Sequence, residues 1–329
     1  MQNNPFVGPR PFERQDLANF YGRRREARDL LSLIVANRVV LFYSPPGAGK
    51  TSLINAQIIP DLEEHSFDVL PVAHVGNDVP QGIDPHSVKN VFVLSVLMGL
   101  VADPRPATSQ RISANDLIQA TLFQFLQLRK VADATGDEPE EHGDDWTLFA
   151  TSRLRPPVLI LDQFEEILTT HRARWQDVQG FFEQLGEALR KLPDLGVVFV
   201  MREDHVAGIE PYAALLPKRL KVRYRMEWLT VEGALEAVAK PALRAGVPFA
   251  PGVAERLVDN LRHIKAAHDA RDLPANPDAA FGPYVAPVHL QAVCNRLWEN
   301  LPEDLDHDIQ WDEVRHLGDL EPASIKAKS

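Results

Sequence analysis

Cysteine is almost absent. Cys294 is the only one, which excludes intramolecular disulfides and cysteine-rich zinc sites and fits a reducing cytoplasm. Positive charge is also in deficit: 35 lysine and arginine side chains face 46 aspartates and glutamates, a formal charge of −11. That balance gives no support to a broad nucleic-acid-binding face. No apolar run is long enough to cross a bilayer, since Val91 to Val101 is too short and gives way to polar sequence. The start, Met1-Gln2-Asn3-Asn4-Pro5, lacks the basic segment and apolar core of a secretion signal. Tandem repeats and coiled-coil heptads are not visible. His263, His268 and His289 make no metal set, because the first two have a poor same-face spacing and no cysteine accompanies them.

What is present is ordinary for a soluble globular protein, at 45% apolar and 25% charged residues, and long enough for one large or two moderate domains. An N-terminal arm, Asn4 to Phe20, carries Pro5, Pro9 and Pro11 and reads as extended chain. A helix is expected over Arg23 to Ile34. Strands are expected at Val39 to Tyr43, Val69 to Val75, Val158 to Leu161, Val197 to Met201 and Lys221 to Tyr224. Helices separate them at Thr51 to Ile59, Ser87 to Leu100, Asn115 to Lys130 and Trp175 to Leu192, with a weaker one after Asp204. This alternation predicts an α/β sheet enclosed by helices, with ligand-bearing loops at the strand ends. The acidic run Asp133 to Asp145 reads as a solvated loop, with partner docking as the alternative. After Leu229 the pattern becomes helical: Val231 to Arg244 capped by Thr230, then Pro251 to Ala267 and His289 to Asn300. Gly318 to Ser329 reads as a frayed end.

The segment Ser44-Pro45-Pro46-Gly47-Ala48-Gly49-Lys50-Thr51 joins the apolar run Val39 to Tyr43 to the helical Ser52-Leu53-Ile54. Strand, glycine-bearing turn and helix start form a phosphate-binding loop of the G-x-x-x-x-G-K-[ST] kind. Gly47 and Gly49 let the backbone curl so that N–H groups from Pro46 to Ser52, where present, face phosphate oxygens at the positive end of a helix. Lys50 would reach the β- and γ-phosphates, and the Thr51 hydroxyl would bind Mg²⁺. Ser44 replaces the first glycine, a strain if that position needs positive φ, and the two prolines remove donors.

A second run, Val158 to Leu161, ends in Asp162, the form of a central strand that delivers a carboxylate to Mg²⁺. Gln163-Phe164-Glu165-Glu166 follows. Either Glu165 or Glu166 is a candidate for orienting the attacking water, Glu166 by a narrow margin, with the other of the two structural; the alternative for the whole run is acidic residues at a helix start. A third run, Val197 to Met201, ends in Arg202, placed to sense a γ-phosphate or to pair with Glu203 or Asp204.

The order of Asn4-Pro5-Phe6, Gly8 to Phe12, Phe20-Tyr21-Gly22-Arg23, the phosphate loop, Leu161 to Leu168 and Val200 to Asp204 resembles the STAND class. These signal-transducing ATPases are related to AAA+ and NACHT/NB-ARC proteins, and the match is to the bacterial novel STAND NTPase 1 group often joined to WD40 or other repeats. The likeness runs to about Trp298. It implies a three-layer α/β/α P-loop NTPase core with a C-terminal helical lid. The implied division is an arm and adenine-side helix over 1–35, the core over 36–226, the lid over 227–315 and a tail over 316–329. It implies ATP/ADP and Mg²⁺ as ligands, with Tyr21, Gly22 and Arg23 lining the adenine end and Asp162 at the magnesium. Glu165 and Glu166 resemble the acidic pair of NACHT proteins and Arg202 the arginine after the sensor strand. Gln163 stands where many AAA+ machines have glutamate, so slow rather than motor-like hydrolysis is expected. Pro287, within Ala286 to Cys294, resembles the lid proline of NB-ARC relatives or else simply starts a helix. The expected activity is an ATP switch that controls assembly of its own copies or of an effector or sensor protein, in bacterial defence or other stress signalling. The rivals are an AAA+ remodelling machine and a non-hydrolysing scaffold. No protease, nuclease or TIR-like effector sequence is recognisable, and no nucleic-acid or membrane partner is expected. Cys294 reads as core.

Overall fold

The computed structural model describes residues 4–102, 114–135, 155–268, 282–302 and 307–315. Two compact units are distinguishable, one from Asp29–Ser44 and Ile59–Arg225, the other from Met1–Arg28, Pro45–Ile58 and Met226–Ser329.

The first unit is built on a sheet of β1 (Val39–Ser44), β2 (Asp68–Val69), β3 (Pro157–Leu161), β4 (Gly196–Arg202) and β5 (Arg223–Arg225). Its order is β2-β3-β4-β1-β5 and every pair is parallel. Strands apolar at consecutive positions suit a sheet covered on both faces. Val39, Leu41, Leu159, Leu161, Val197 and Phe199 lie in a core with residues of helices Val91–Val101, Leu122–Thr135 and Gln176–Lys191, while Val40, Phe42, Ile160, Val198 and Val200 are buried on the opposite face. Helix Gln176–Lys191 buries Val178, Phe181, Phe182, Leu185, Ala188 and Leu189, one stripe at helical spacing. The Arg38 guanidinium closes its C-terminal end by donating to the carbonyls of Leu189 and Leu192 at 2.5 and 2.7 Å.

Several elements differ from expectation for local reasons. The second strand is short, Asp68–Val69: Leu70 N–H still donates to the Val158 carbonyl at 3.0 Å, but the next bond to β3 comes from Ala73 N–H to the Ile160 carbonyl, one residue late, and pairing resumes at a bridge between Ala73 and Leu161, with Pro71 inside the interruption. The helix after the phosphate loop runs on to Glu64 through a π turn, Ile54–Ile58, just before Pro60, whose ring an unbroken α-helix would not accept. The expected helix over 115–130 is two, Ala114–Gln119 and Leu122–Thr135. Thr121 and Gln124 form a reciprocal cap at that break, Gln124 N–H donating to Thr121 Oγ1 (3.2 Å) and Thr121 N–H to Gln124 Oε1 (3.1 Å).

The second unit contains helices Val231–Arg244, Val253–His268, Pro287–Asn300 and Trp311–Val314, and an antiparallel ribbon of β6 (Leu229–Thr230) and β7 (Tyr284–Val285). Its separate core includes Phe6, Leu229, Val238, Val258, Leu290, Cys294 and Trp298. Burial pushes the Cys294 thiol far up, in keeping with a core role. Thr230 caps helix Val231–Arg244, its hydroxyl accepting from Gly233 N–H at 3.1 Å. The arm is pinned at its start: Asn4 donates to Asn295 Oδ1 at 2.9 Å, Val7 N–H donates to Gln291 Oε1 at 3.2 Å, and the Phe6 ring meets Trp298 edge-on. It is not extended throughout, since Arg14–Asn19 forms a 3₁₀ turn.

The α/β core with C-terminal helices expected from the sequence is the architecture observed. Among the described residues no helix is long and apolar enough to cross a membrane. Residues 136–145 of the acidic run and the tail 316–329 lie outside the described residues.

Candidate phosphate-binding site

β1 runs directly into the glycine-bearing loop. Ser44, at its end, is fully buried and pairs with Arg202 as an ordinary strand residue. Positive φ falls at Gly47 (69°) and Gly49 (90°) and not at Ser44, so serine in the first motif position carries no backbone strain. Gly49 is the N-cap of helix Lys50–Leu53, and a Cβ placed on it would meet no atom within 4 Å. That open side and the helix N-terminus are the requirements of a phosphate cradle.

Other parts of the second unit hold the loop from outside. Arg23, only 5% exposed, donates from one Nη to the Ala48 carbonyl at 2.9 Å and from the other to Glu26 at 2.6 Å. Its guanidinium is therefore committed to the loop backbone, a role that the adenine-end expectation did not include. Gly22, at φ 84°, packs backbone to backbone on Gly233, where a side chain on either would collide with the other's carbonyl. Tyr21 lies under Lys240, with Nζ 5.8 Å from the ring centre. Ser52 accepts from Phe12 N–H at 3.2 Å. The Pro46 carbonyl accepts from Trp228 Nε1–H at 3.1 Å, and Val288 reaches Gly47. Pro287 occupies the first turn of helix Pro287–Asn300 behind the N-cap Ala286. Trp228 stands in the sequence only as the lead into the lid and Val288 only within the Ala286 to Cys294 motif; neither motif points to the loop, and it is the pairing of β6 with β7 that brings their segments together.

The first unit gathers the acidic residues at the carboxyl edge of its sheet. Asp162, 1% exposed, follows β3. Its Oδ1 accepts from Gln163 N–H at 2.8 Å, and Gln163 takes a left-handed φ of 53°. That turn lets Asp162 stay at the edge while Phe164 enters the core against Phe199, ring centres 4.7 Å apart. Glu165 and Glu166 then diverge. Glu165 Oε2 accepts from Arg202 N–H at 3.1 Å, on the β4 side of β3. Glu166 turns to the Gly76 amide beyond β2, and burial, with the charges of Glu165 and Asp162 adding, raises its pKa against the opposing pull of His74 and that amide. Arg202 is paired with Asp204 through two bonds of 2.6 and 3.1 Å, and this guanidinium holds the Asp204 carboxyl below its usual range.

Thr51 in the loop and Asp162 after β3 each carry a hard oxygen donor of the kind Mg²⁺ takes. Among the described residues no group of three or more His, Cys, Asp or Glu side chains could hold a metal ion.

Residues 5–278 match the novel STAND NTPase 1 family. Among curated proteins none matches. Of solved structures, the ORC2 protein of Aeropyrum pernix in its ADP form is similar with a TM-score of 0.56 at 14% identity, over 94% of this chain and 71% of that one. Its ADPNP-ADP complexes give 0.55 at 14% identity, over 91% and 68%. A Walker-type ATPase of Pyrococcus abyssi gives 0.54 at 12% identity, over 88% and 71%. At these identities the structural likenesses show the fold, whereas the family match spans most of the sequence: the chain belongs to the novel STAND NTPase 1 family of P-loop NTPases.

Proposed function

We propose that this chain is an ATP/ADP-binding switch that hydrolyses ATP slowly with Mg²⁺ and whose nucleotide state controls assembly of its own copies or of an effector or sensor partner. The observation that carries the reading is the loop: left-handed Gly47 and Gly49 opening a helix at Lys50, with open space at Gly49. Lys50 binds the β- and γ-phosphates, and Pro46 to Ser52 line them. Thr51 and Asp162 hold Mg²⁺, which neutralises phosphate charge. Tyr21, Gly22 and Arg23 border the adenine end, and Pro287 starts the helix of a lid over 227–315 that reports nucleotide state.

Glu165 is the better candidate for orienting water. What supports it is its hold on the β4 side, toward β1, whereas Glu166 faces Gly76 on the far side of β3. Arg202 reads the γ-phosphate by exchanging Asp204 for it; such an exposed pair contributes only about 0–1 kcal/mol and is easily traded. Gln163 beside Asp162 supports slow turnover. A role in bacterial defence rests on the family resemblance alone.

Single-turnover ATP hydrolysis, with particle mass measured under ADP, ATP and a non-hydrolysable analogue, tests this reading. Wild type is expected to turn over slowly and to change mass between ADP and the analogue. Glu165→Gln should lose at least about ten-fold in rate while still binding nucleotide, with Glu166→Gln much less affected. Undiminished turnover in Glu165→Gln would remove that residue's role. A mass unchanged in every state would count against the assembly switch, and a fast-cycling ring would favour a remodelling machine.

A further inference from the structure

Pro45 and Pro46 deprive the front of the phosphate loop of two N–H groups but leave its carbonyls available. The Pro46 carbonyl accepts from Trp228 Nε1–H at 3.1 Å. The Ala48 carbonyl, two residues on, accepts from the buried Arg23 guanidinium at 2.9 Å. In a trans peptide the carbonyl of one residue and the N–H of the next point in opposite directions. Fixing the Pro46 carbonyl on Trp228 therefore turns the Gly47 N–H away from the indole, and fixing the Ala48 carbonyl on Arg23 turns the Gly49 N–H away from the guanidinium. These are two of the amides needed to face phosphate.

The ribbon explains why Trp228 is in reach. Leu229 pairs with Val285 and Thr230 with Tyr284, so Trp228 precedes β6 where Ala286 follows β7. Two residues beyond Ala286, Val288 stands 3.4 Å from where a Cβ on Gly47 would lie. The two strands, at the same end of the ribbon, thus lead to consecutive loop residues, Pro46 and Gly47. At both peptides a side chain from elsewhere in the same unit sets the plane, through Trp228 for 46–47 and Arg23 for 48–49.

Building on the nucleotide reading above, we propose that Trp228 is a positioning residue of the phosphate loop. Its indole N–H orients the 46–47 peptide for a nucleoside diphosphate or triphosphate and ties loop occupancy to the β6–β7 ribbon and helix Pro287–Asn300. Because it acts on the loop amides, its effect falls on nucleotides with a β-phosphate.

The test combines indole NMR with binding to the full chain. Trp228→Phe removes one of five tryptophan indole signals and so identifies it. In wild type that signal is expected to be protected from solvent exchange and to shift when ADP is added. ADP should bind Trp228→Phe about five-fold more weakly, the effect of one lost hydrogen bond, and AMP equally to both proteins. An indole that exchanges freely in wild type overturns the hydrogen bond. Equal weakening for ADP and AMP, or none for ADP, overturns the positioning role while nucleotide binding stands. A wild-type chain that binds neither ADP nor ATP overturns the nucleotide reading itself, and the positioning role with it.

Discussion

Glu165 and Glu166 are adjacent in sequence yet serve opposite sides of β3, and the left-handed turn at Gln163 sets both directions. The raised pKa of Glu166 has a definite consequence for stability. A carboxyl whose folded pKa lies above its unfolded value holds its proton to higher pH in the folded state. Ionised Glu166 therefore opposes folding at neutral pH, and this penalty vanishes as pH falls below the unfolded carboxylate range. Glu166→Gln, which keeps an acceptor for the Gly76 amide, is expected to raise the melting temperature at neutral pH, the gain shrinking to nothing under acid. A gain independent of pH would mean that packing, not ionisation, is responsible. The sequence placed both glutamates near a strand end, but it could not separate them. Their divergence depends on φ at Gln163 and on Gly76, whose lack of a side chain admits Glu166.

At the scale of elements, caps decide where helices begin. Thr230 was legible because it stands before a clean amphipathic run. Thr121 was not, because the apolar period of 115–130 continues through the break and hides the Thr-x-x-Gln box. Each cap should matter by a similar amount: Thr121→Ala and Thr230→Ala are each expected to cost about 1 kcal/mol in denaturant unfolding. A negligible effect at Thr121 would mean that the break is held by packing alone. The π turn at Ile54–Ile58 was equally hidden, although Pro60 was its visible cause. Among strands, β1, β3 and β4 were read nearly to the residue, because strands buried on both faces are apolar throughout.

At the scale of the whole chain, two cores form around residues far apart in sequence. The arm reaches helix Pro287–Asn300 through Asn4 and Asn295, a pairing that no local pattern encodes. The phosphate loop follows a strand of one unit but clusters with residues of the other, the chain passing between them at Ser44–Pro45 and Ile58–Ile59. Motif order was enough to reach the family, which residues 5–278 match. It did not reveal that Arg23 and Trp228 hold the loop carbonyls, since hydrogen bonds to backbone leave no signature in residue type. Every role proposed for this chain depends on nucleotide phosphate binding at this loop. Titration calorimetry of ADP with Mg²⁺ into wild type and Lys50→Ala, with circular dichroism to verify folding, tests it most directly. One ADP per wild-type chain is expected, with at least about ten-fold weaker binding to folded Lys50→Ala. Equal affinity in the two proteins, or no binding to wild type, would contradict it.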